Sequence, residues 1–225
     1  MFEQLDRINN DVSKFSEACA ASMEWVESPA TGVWRKRVYM DGPAEDCRVT
    51  SLVRYDAGAY FPEHVHPDGE EILVLRGVFS DQEGDFRTGW HLLNPSGSRH
   101  QSYSEKGCII LVKLRQYAGK RTIHQDINQL EWRRGNTDGV SFKPLYKSEE
   151  RGILTRIVRF DKDTKFSNQK YSAAKEVYVM DGSFEDDYGM HVVGSWLRYP
   201  VNVENSIRCQ RGCTLYVQTG GVDFS

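Results

Sequence analysis

Gly58-Ala59-Tyr60-Phe61-Pro62-Glu63-His64-Val65-His66-Pro67-Asp68-Gly69-Glu70-Glu71 concentrates the chemistry of this chain. Residues two apart in an extended strand face the same side, so His64 and His66 project together. Asp68-Gly69 can turn the chain back, which returns a carboxylate, Glu70, beside them. Working outward, Gly89-Trp90-His91-Leu92-Leu93-Asn94-Pro95-Ser96-Gly97-Ser98-Arg99-His100 supplies a third imidazole from another strand. Three imidazoles and one carboxylate suit zinc, iron, manganese, nickel or copper, and leave room for water or an exogenous ligand. His64, His66, Glu70 and His100 are therefore the candidate metal ligands.

The same stretch has a second copy. Shifted by 105 positions, Thr50–Val112 matches Thr155–Val217 without a gap, with 17 identities over 63 positions. Ordinary composition would give roughly four. Upstream the offset becomes 107, pairing Glu24-Trp25 with Glu131-Trp132. The chain is a duplicated domain. At the four ligand positions the second copy carries Gln169, Tyr171, Lys175 and Asn205, while its glycines, Pro200 and apolar strand residues persist. An amine protonated at neutral pH in place of Glu70 argues against a cation there. Glu71 has a counterpart, Glu176, in the copy without ligands and so reads as structural. Lys175, a cation in a small cavity, calls for solvent or a carboxylate near it, with Glu176 and Asp186 as candidates.

Each copy reads as β structure: Arg48–Tyr55, Glu71–Phe79, Cys108–Leu114 and Leu154–Phe160 are β-rich, and Gly, Pro, Asn and Asp punctuate them closely. Many short strands with such turns predict barrels or jelly rolls. Phe2, Leu5, Ile8, Val12, Phe15 and Cys19 recur every three or four positions, which predicts a short N-terminal amphipathic helix. The expected organisation is a helical segment over 1–20, a metal-binding barrel over 21–117, a linker over 118–129 and a degenerate barrel without metal over 130–225. Tyr60 and His91 lie close in sequence to the ligand segments and are expected to neighbour the pocket. His124 and His191 read as surface residues.

The spacing Gly58-x5-His64-x-His66-x3-Glu70-x6-Gly77 resembles the first cupin motif, and Gly89-x5-Pro95-x-Gly97-x2-His100 the second. The strings Asp68–Asp81 and Leu93–His100 narrow the resemblance to the cupin domain of ChrR-type anti-sigma factors, strongly over about 23–117 and again, more weakly, over 130–219. The resemblance implies an all-β fold of two tandem cupin (double-stranded β-helix) barrels, the four ligands named above, and zinc as the metal. It also implies a sensor that responds to a small molecule or oxidative signal and controls a separate anti-sigma module, which clamps the sigma factor. The segment preceding the first repeat lacks the His-x3-Cys-x2-Cys pattern of the sigma-binding zinc domain, so tight sigma binding by this chain alone is not expected. The alternatives are a metal-dependent, dioxygenase-like enzyme acting on a small oxygenated substrate, with iron, manganese or nickel as the metal, and a passive small-ligand module.

Composition excludes other classes. A formal net charge of −3, without a Lys/Arg cluster, gives no footprint for nucleic acid. No apolar run reaches the ~20 residues of a membrane helix, and the N-terminus lacks the regions of a signal peptide. Five cysteines are too few for a disulfide framework and read as reduced thiols in a cytoplasmic protein. A homodimer is compatible with the predicted helix.

Overall fold

A computed structural model describes residues 7–43, 46–170 and 172–221, with Asn168 and Gln169 described by backbone alone. The chain divides into two compact units: 7–10 with 23–129, and 11–22 with 130–221. Both are antiparallel β throughout. In the first, the strand order is Arg7–Ile8, Val33–Asp41, Arg48–Tyr55, Cys108–Leu114, Glu70–Asp81, Ser98–Ser104, Ala59–His66. The second runs Arg133–Arg134, Val140–Ser148, Ile153–Phe160, Cys213–Thr219, Lys175–Asp186, Ser195–Tyr199, Ser16–Cys19, so the four strands from Val140–Ser148 to Lys175–Asp186 repeat those of the first. Thr164–Lys170 there pairs with Glu204–Cys209.

The apolar alternation of these strands builds one core per unit. Val33, Val53, Ile72, Val74, Phe79 and Ile110 meet in the first, and Val158, Val177, Val179, Phe184, Leu197 and Leu215 in the second. Outside, a tryptophan in each unit covers two cations: Trp25 meets Lys36 and Arg54 at 4.5 and 5.0 Å, and Trp132 meets Lys143 and Arg159 at 4.8 and 4.2 Å. That repeated stacking accounts for Trp and Arg at matching positions. Gly77 has φ +80°, and a Cβ there would sit 2.2 Å from the Gly107 carbonyl oxygen; Gly182 meets Gly212 identically. Only glycine fits the corner of the long central strand, so the pair survives in both copies.

The N-terminal segment departs from the expected helix. Residues 7–22 form two short strands, Arg7–Ile8 and Ser16–Cys19, and a 3-10 turn at Ala20–Ser22. Turn chemistry wins over the periodicity. Asn9 takes φ 50° and its Nδ2 donates to the Val38 carbonyl at 2.8 Å, while Asp11 Oδ1 accepts the Ser13 amide at 3.1 Å. Sheet pairing then uses Ser16–Cys19 as a partner for Ser195–Arg198, and Phe15 stacks on Tyr188 at 3.9 Å. Phe2 and Leu5 lie outside the described residues.

The segment expected as a linker contributes structure as well. Ile123–Asp126 pairs with Trp90–Asn94, and a 3-10 turn follows at Ile127–Gln129. It lies 107 positions after Ser16–Cys19. The strand preceding each repeat thus completes the sheet of the other one. Among the described residues, no helix is long and apolar enough to cross a membrane.

Candidate metal centre

Strand register brings the four expected ligands together. His64 and His100 are direct cross-strand partners, and His66 lies opposite Ser98. The turn after His66 closes through the Gly97 amide, which donates to the His66 carbonyl at 2.8 Å. Gly69, at φ +78°, lies so close to the Tyr117 carbonyl oxygen that a Cβ would stand 2.1 Å from it. This glycine lets the chain re-enter the sheet with Glu70 facing inward.

One nitrogen from each imidazole and one Glu70 oxygen all lie within 4.8 Å of one another. The imidazole centroids form a near-equilateral triangle of 4.7, 4.8 and 4.8 Å. Glu70 Oε2 is 3.4 Å from His66 Nε2 and 3.7 Å from His100 Nε2. His64 is half-buried and the other three are buried.

The surroundings fix which nitrogens face inward. His64 Nδ1 is 2.9 Å from the Pro62 carbonyl oxygen, and His100 Nδ1 is 3.2 Å from Asp81 Oδ2. An Nδ1–H donated to these acceptors leaves Nε2 unprotonated on both rings. His66 Nε2 is buried with no hydrogen-bond partner, a costly state that a cation would relieve. The Asn94 amide donates to Glu70 Oε2 at 3.1 Å.

Burial holds the pKa of His64 and His66 below the usual imidazole value. Burial opposes ionisation of Glu70, but the charges of His66 and His100 and the Asn94 bond outweigh it and lower its pKa. Burial likewise opposes protonation of His100, yet Glu70 and Asp81 outweigh it and raise the pKa. Three neutralisable imidazoles, a carboxylate and an orphaned nitrogen fit a transition metal ion.

The four donors line a cavity of about 270 Å³. Its walls are apolar at Val53, Ile72, Phe79 and Ile110, and polar at Arg35, Arg37, Tyr55 and Ser102. Tyr55 Oη and Ser102 Oγ share a 2.9 Å hydrogen bond, and burial raises the Tyr55 pKa, so the phenol stays protonated. None of these four was singled out from sequence. The signal was present in the duplication, for they become Phe142, Pro144, Phe160 and Ile207 in the copy without ligands.

Tyr60 and His91 do not belong to the cavity. Tyr60 is exposed on the outer side of its strand, opposite Tyr103. His91 faces away from the ligands, wholly buried, with Nε2 2.8 Å from Glu71 Oε1 and Nδ1 3.1 Å from Gln125 Nε2. In the second unit Trp196 Nε1 donates to Glu176 in the same place. An indole can only donate, so His91 plays the same part through an Nε2–H donated to Glu71. Glu71 and Glu176 thus share a structural role.

In the second unit the Lys175 ammonium is buried, 5.4 Å from the Tyr199 ring centroid. Burial lowers its pKa to about 8 against the attraction of Asp186. Asn205, in the place of His100, donates to Asp186 Oδ2 at 2.9 Å. His191 is buried rather than at the surface, bonded to Asp186 and Glu17 at 2.8 and 3.0 Å. His124 is also mostly covered, 3.2 Å from Asn94 Oδ1. Tyr171 and the Gln169 side chain lie outside the described residues.

A Lys175→Met variant should be more stable than wild type by about 1–3 kcal/mol at neutral pH, because an apolar side chain removes the desolvation of a buried ammonium. The folded pKa lies below the unfolded one, so the ammonium is penalised at pH 7 and the penalty fades as pH rises from about 8 toward 10.5. Denaturant unfolding at pH 7 and pH 10 should show the gap between the two proteins narrowing; a constant gap would contradict the assignment.

The ChrR cupin-like domain family matches residues 17–118 and again 120–223. No curated protein matches the chain significantly in sequence. Among solved structures, a candidate dioxygenase from Nostoc punctiforme superposes with a TM-score of 0.79 at 13% identity, covering 92% of this chain and 82% of that one. The bacterial pirin YhhW of Escherichia coli, in complex with nickel(II), gives a TM-score of 0.68 at 14% identity over 92% and 98%. An oxalate decarboxylase mutant of Bacillus subtilis gives 0.67 at 10% identity over 93% and 78%. At these identities the likeness is one of fold. The family match covers both halves of the sequence, and the chain belongs to the ChrR cupin-like family as a tandem pair of its domains.

Proposed function

We propose that the first unit binds one transition metal ion through His64, His66, Glu70 and His100, and acts as a metal-dependent enzyme on a small oxygenated organic molecule. The observation that carries this reading is the cavity of about 270 Å³ on which the four donors open. Its size lies just under the usual range for drug-sized ligands and suits a small metabolite. A bound ion would supply Lewis-acid polarisation of a ligand oxygen or, if redox-active, oxygen chemistry.

The residues of the chain hold the rest. Pro62 and Asp81 fix two imidazole tautomers, Asn94 orients Glu70, and the Tyr55–Ser102 hydroxyl pair offers a neutral donor to a ligand oxygen. The apolar wall lowers the local dielectric and so strengthens each of these interactions. A zinc-bound sensor that signals occupancy to a protein partner is the second reading, favoured by the ChrR cupin-like match.

Metal analysis of the purified chain should give one ion per chain; a value near two would mean that the second unit also binds. Iron-, manganese- and zinc-loaded protein would then be assayed for substrate loss and oxygen uptake with small oxo compounds. Turnover with a redox metal supports the enzyme. Tight ligand binding without turnover by any form favours the sensor.

A further inference from the structure

Three arginines, Arg35, Arg37 and Arg115, line the metal cavity beside its apolar wall. Strand Val33–Asp41 presents Val33, Arg35, Arg37 and Met40 to the cavity, and Arg115 joins them from beyond Leu114. Arg115 is committed to Asp46 and Asp68. Arg35 lines the same cavity as the ligands, next to Phe61: its guanidinium carbon is 5.9 Å from the Phe61 ring centroid, and that ring is 4.9 Å from the His64 ring.

The sister barrel provides the contrast. Where the metal ligands are replaced, Arg35 becomes Phe142 and Arg37 becomes Pro144. In the second barrel Arg156, in the place of Ser51, lies over that same Phe142 at 5.4 Å. A guanidinium on the Val33–Asp41 strand therefore accompanies the metal ligands and is absent where they are.

Charge decides the ligand class. A divalent ion and Glu70 leave the centre net positive, and Arg35 lines the same cavity. A neutral molecule would gain little from that field, whereas an anion would be drawn into it. Arginine meets a carboxylate through two parallel N–H···O bonds, and the Tyr55–Ser102 pair offers a hydroxyl to a second oxygen.

Resting on the metal-dependent reading above, we propose that the ligand of this cavity is a small organic acid with a carboxylate and a neighbouring oxygen donor, an oxo or hydroxy acid, and that Arg35 holds the carboxylate.

The test uses the full chain loaded with cobalt(II), with binding read by calorimetry and by the cobalt absorption spectrum. Pyruvate is compared with 2,3-butanedione and lactate with acetoin, each acid against a neutral ketone of similar shape. The acids should bind at least roughly tenfold more tightly. Arg35→Met should lose roughly 10- to 100-fold in acid affinity while keeping one cobalt per chain and its affinity for the ketones. Arg35→Lys should recover part of the loss. Equal binding of acid and ketone by wild-type protein overturns the inference even if no Arg35 variant folds. So does unchanged acid binding by Arg35→Met. Failure of wild-type protein to take up one cobalt is a different result: it removes the metal reading, and this inference with it.

Discussion

Glu70→Gln should cost the first unit its metal, lowering affinity by roughly 100-fold or more, whereas Glu71→Gln should leave affinity unchanged within about threefold. The two residues are neighbours in sequence but point to opposite faces of one strand. Glu70 Oε2 sits 3.4 Å from His66 Nε2, and Glu71 Oε1 sits 2.8 Å from His91 Nε2 on the other side. Replacing an outer-shell partner of a metal ligand typically costs 10- to 100-fold in affinity, so loss of the anionic donor should exceed that. His66→Ala should match Glu70→Gln, since it removes the nitrogen that lacks a partner. Competition against a chelator of known affinity measures all three. Thermal unfolding with and without metal gives an independent reading, because an ion that binds only the folded state raises the midpoint in proportion to its affinity. Wild-type affinity in Glu70→Gln, or a comparable loss in Glu71→Gln, would place the site elsewhere.

The distinction between those neighbours is legible in the sequence itself, because the duplication lets the chain serve as its own comparison. Glu71 persists as Glu176, while Glu70 changes together with the histidines. The same comparison holds the cavity wall in Tyr55/Phe160 and Ser102/Ile207, but reading it requires knowing which face of each strand looks inward. Val33-Trp34-Arg35-Lys36-Arg37-Val38-Tyr39-Met40 alternates bulk and charge without a clear apolar side, and a register shift between Arg37 and Tyr39 returns Met40 to the cavity. A bulge of that kind reverses the phase of a strand and leaves little trace in composition. The position of His91 differs from expectation for the related reason that proximity in sequence to Gly89 says nothing about face. The N-terminal helix fails because Ile8, Val12, Phe15 and Cys19 fit a helical period equally well, and pairing with Ser195–Arg198 decides the outcome. Asp81 and Asp186 stand out in the sequence only as an identity; their common task of holding position 100 or 205 emerges from the register.

Asp186→Ala should destabilise the second unit by about 3–5 kcal/mol. The Asp186 carboxylate gathers four donors: His191 Nε2 and the Tyr188 amide on Oδ1, both at 2.8 Å, and Tyr199 Oη and Asn205 Nδ2 on Oδ2 at 2.5 and 2.9 Å. It is also the anion that attracts the buried Lys175. Burial opposes its ionisation, but the bonds from His191, Tyr199 and Asn205 prevail and hold its pKa at about 2. The folded pKa is below the unfolded value, so the stabilisation is complete above about pH 4 and is lost as pH falls toward 2, an amount of about 2 kcal/mol. The alanine variant loses more than this, because it strips several buried donors of their common acceptor and removes the anion that attracts Lys175. Lys175→Met in the same chain should restore part of the loss, so the double variant should be more stable than the sum of the single changes predicts. Urea unfolding of the two single variants and the double variant at pH 7, repeated for wild type and Asp186→Ala at pH 3, measures each of these. A loss under about 1 kcal/mol, or strict additivity with Lys175→Met, would mean that the carboxylate does not anchor the interior of the second barrel.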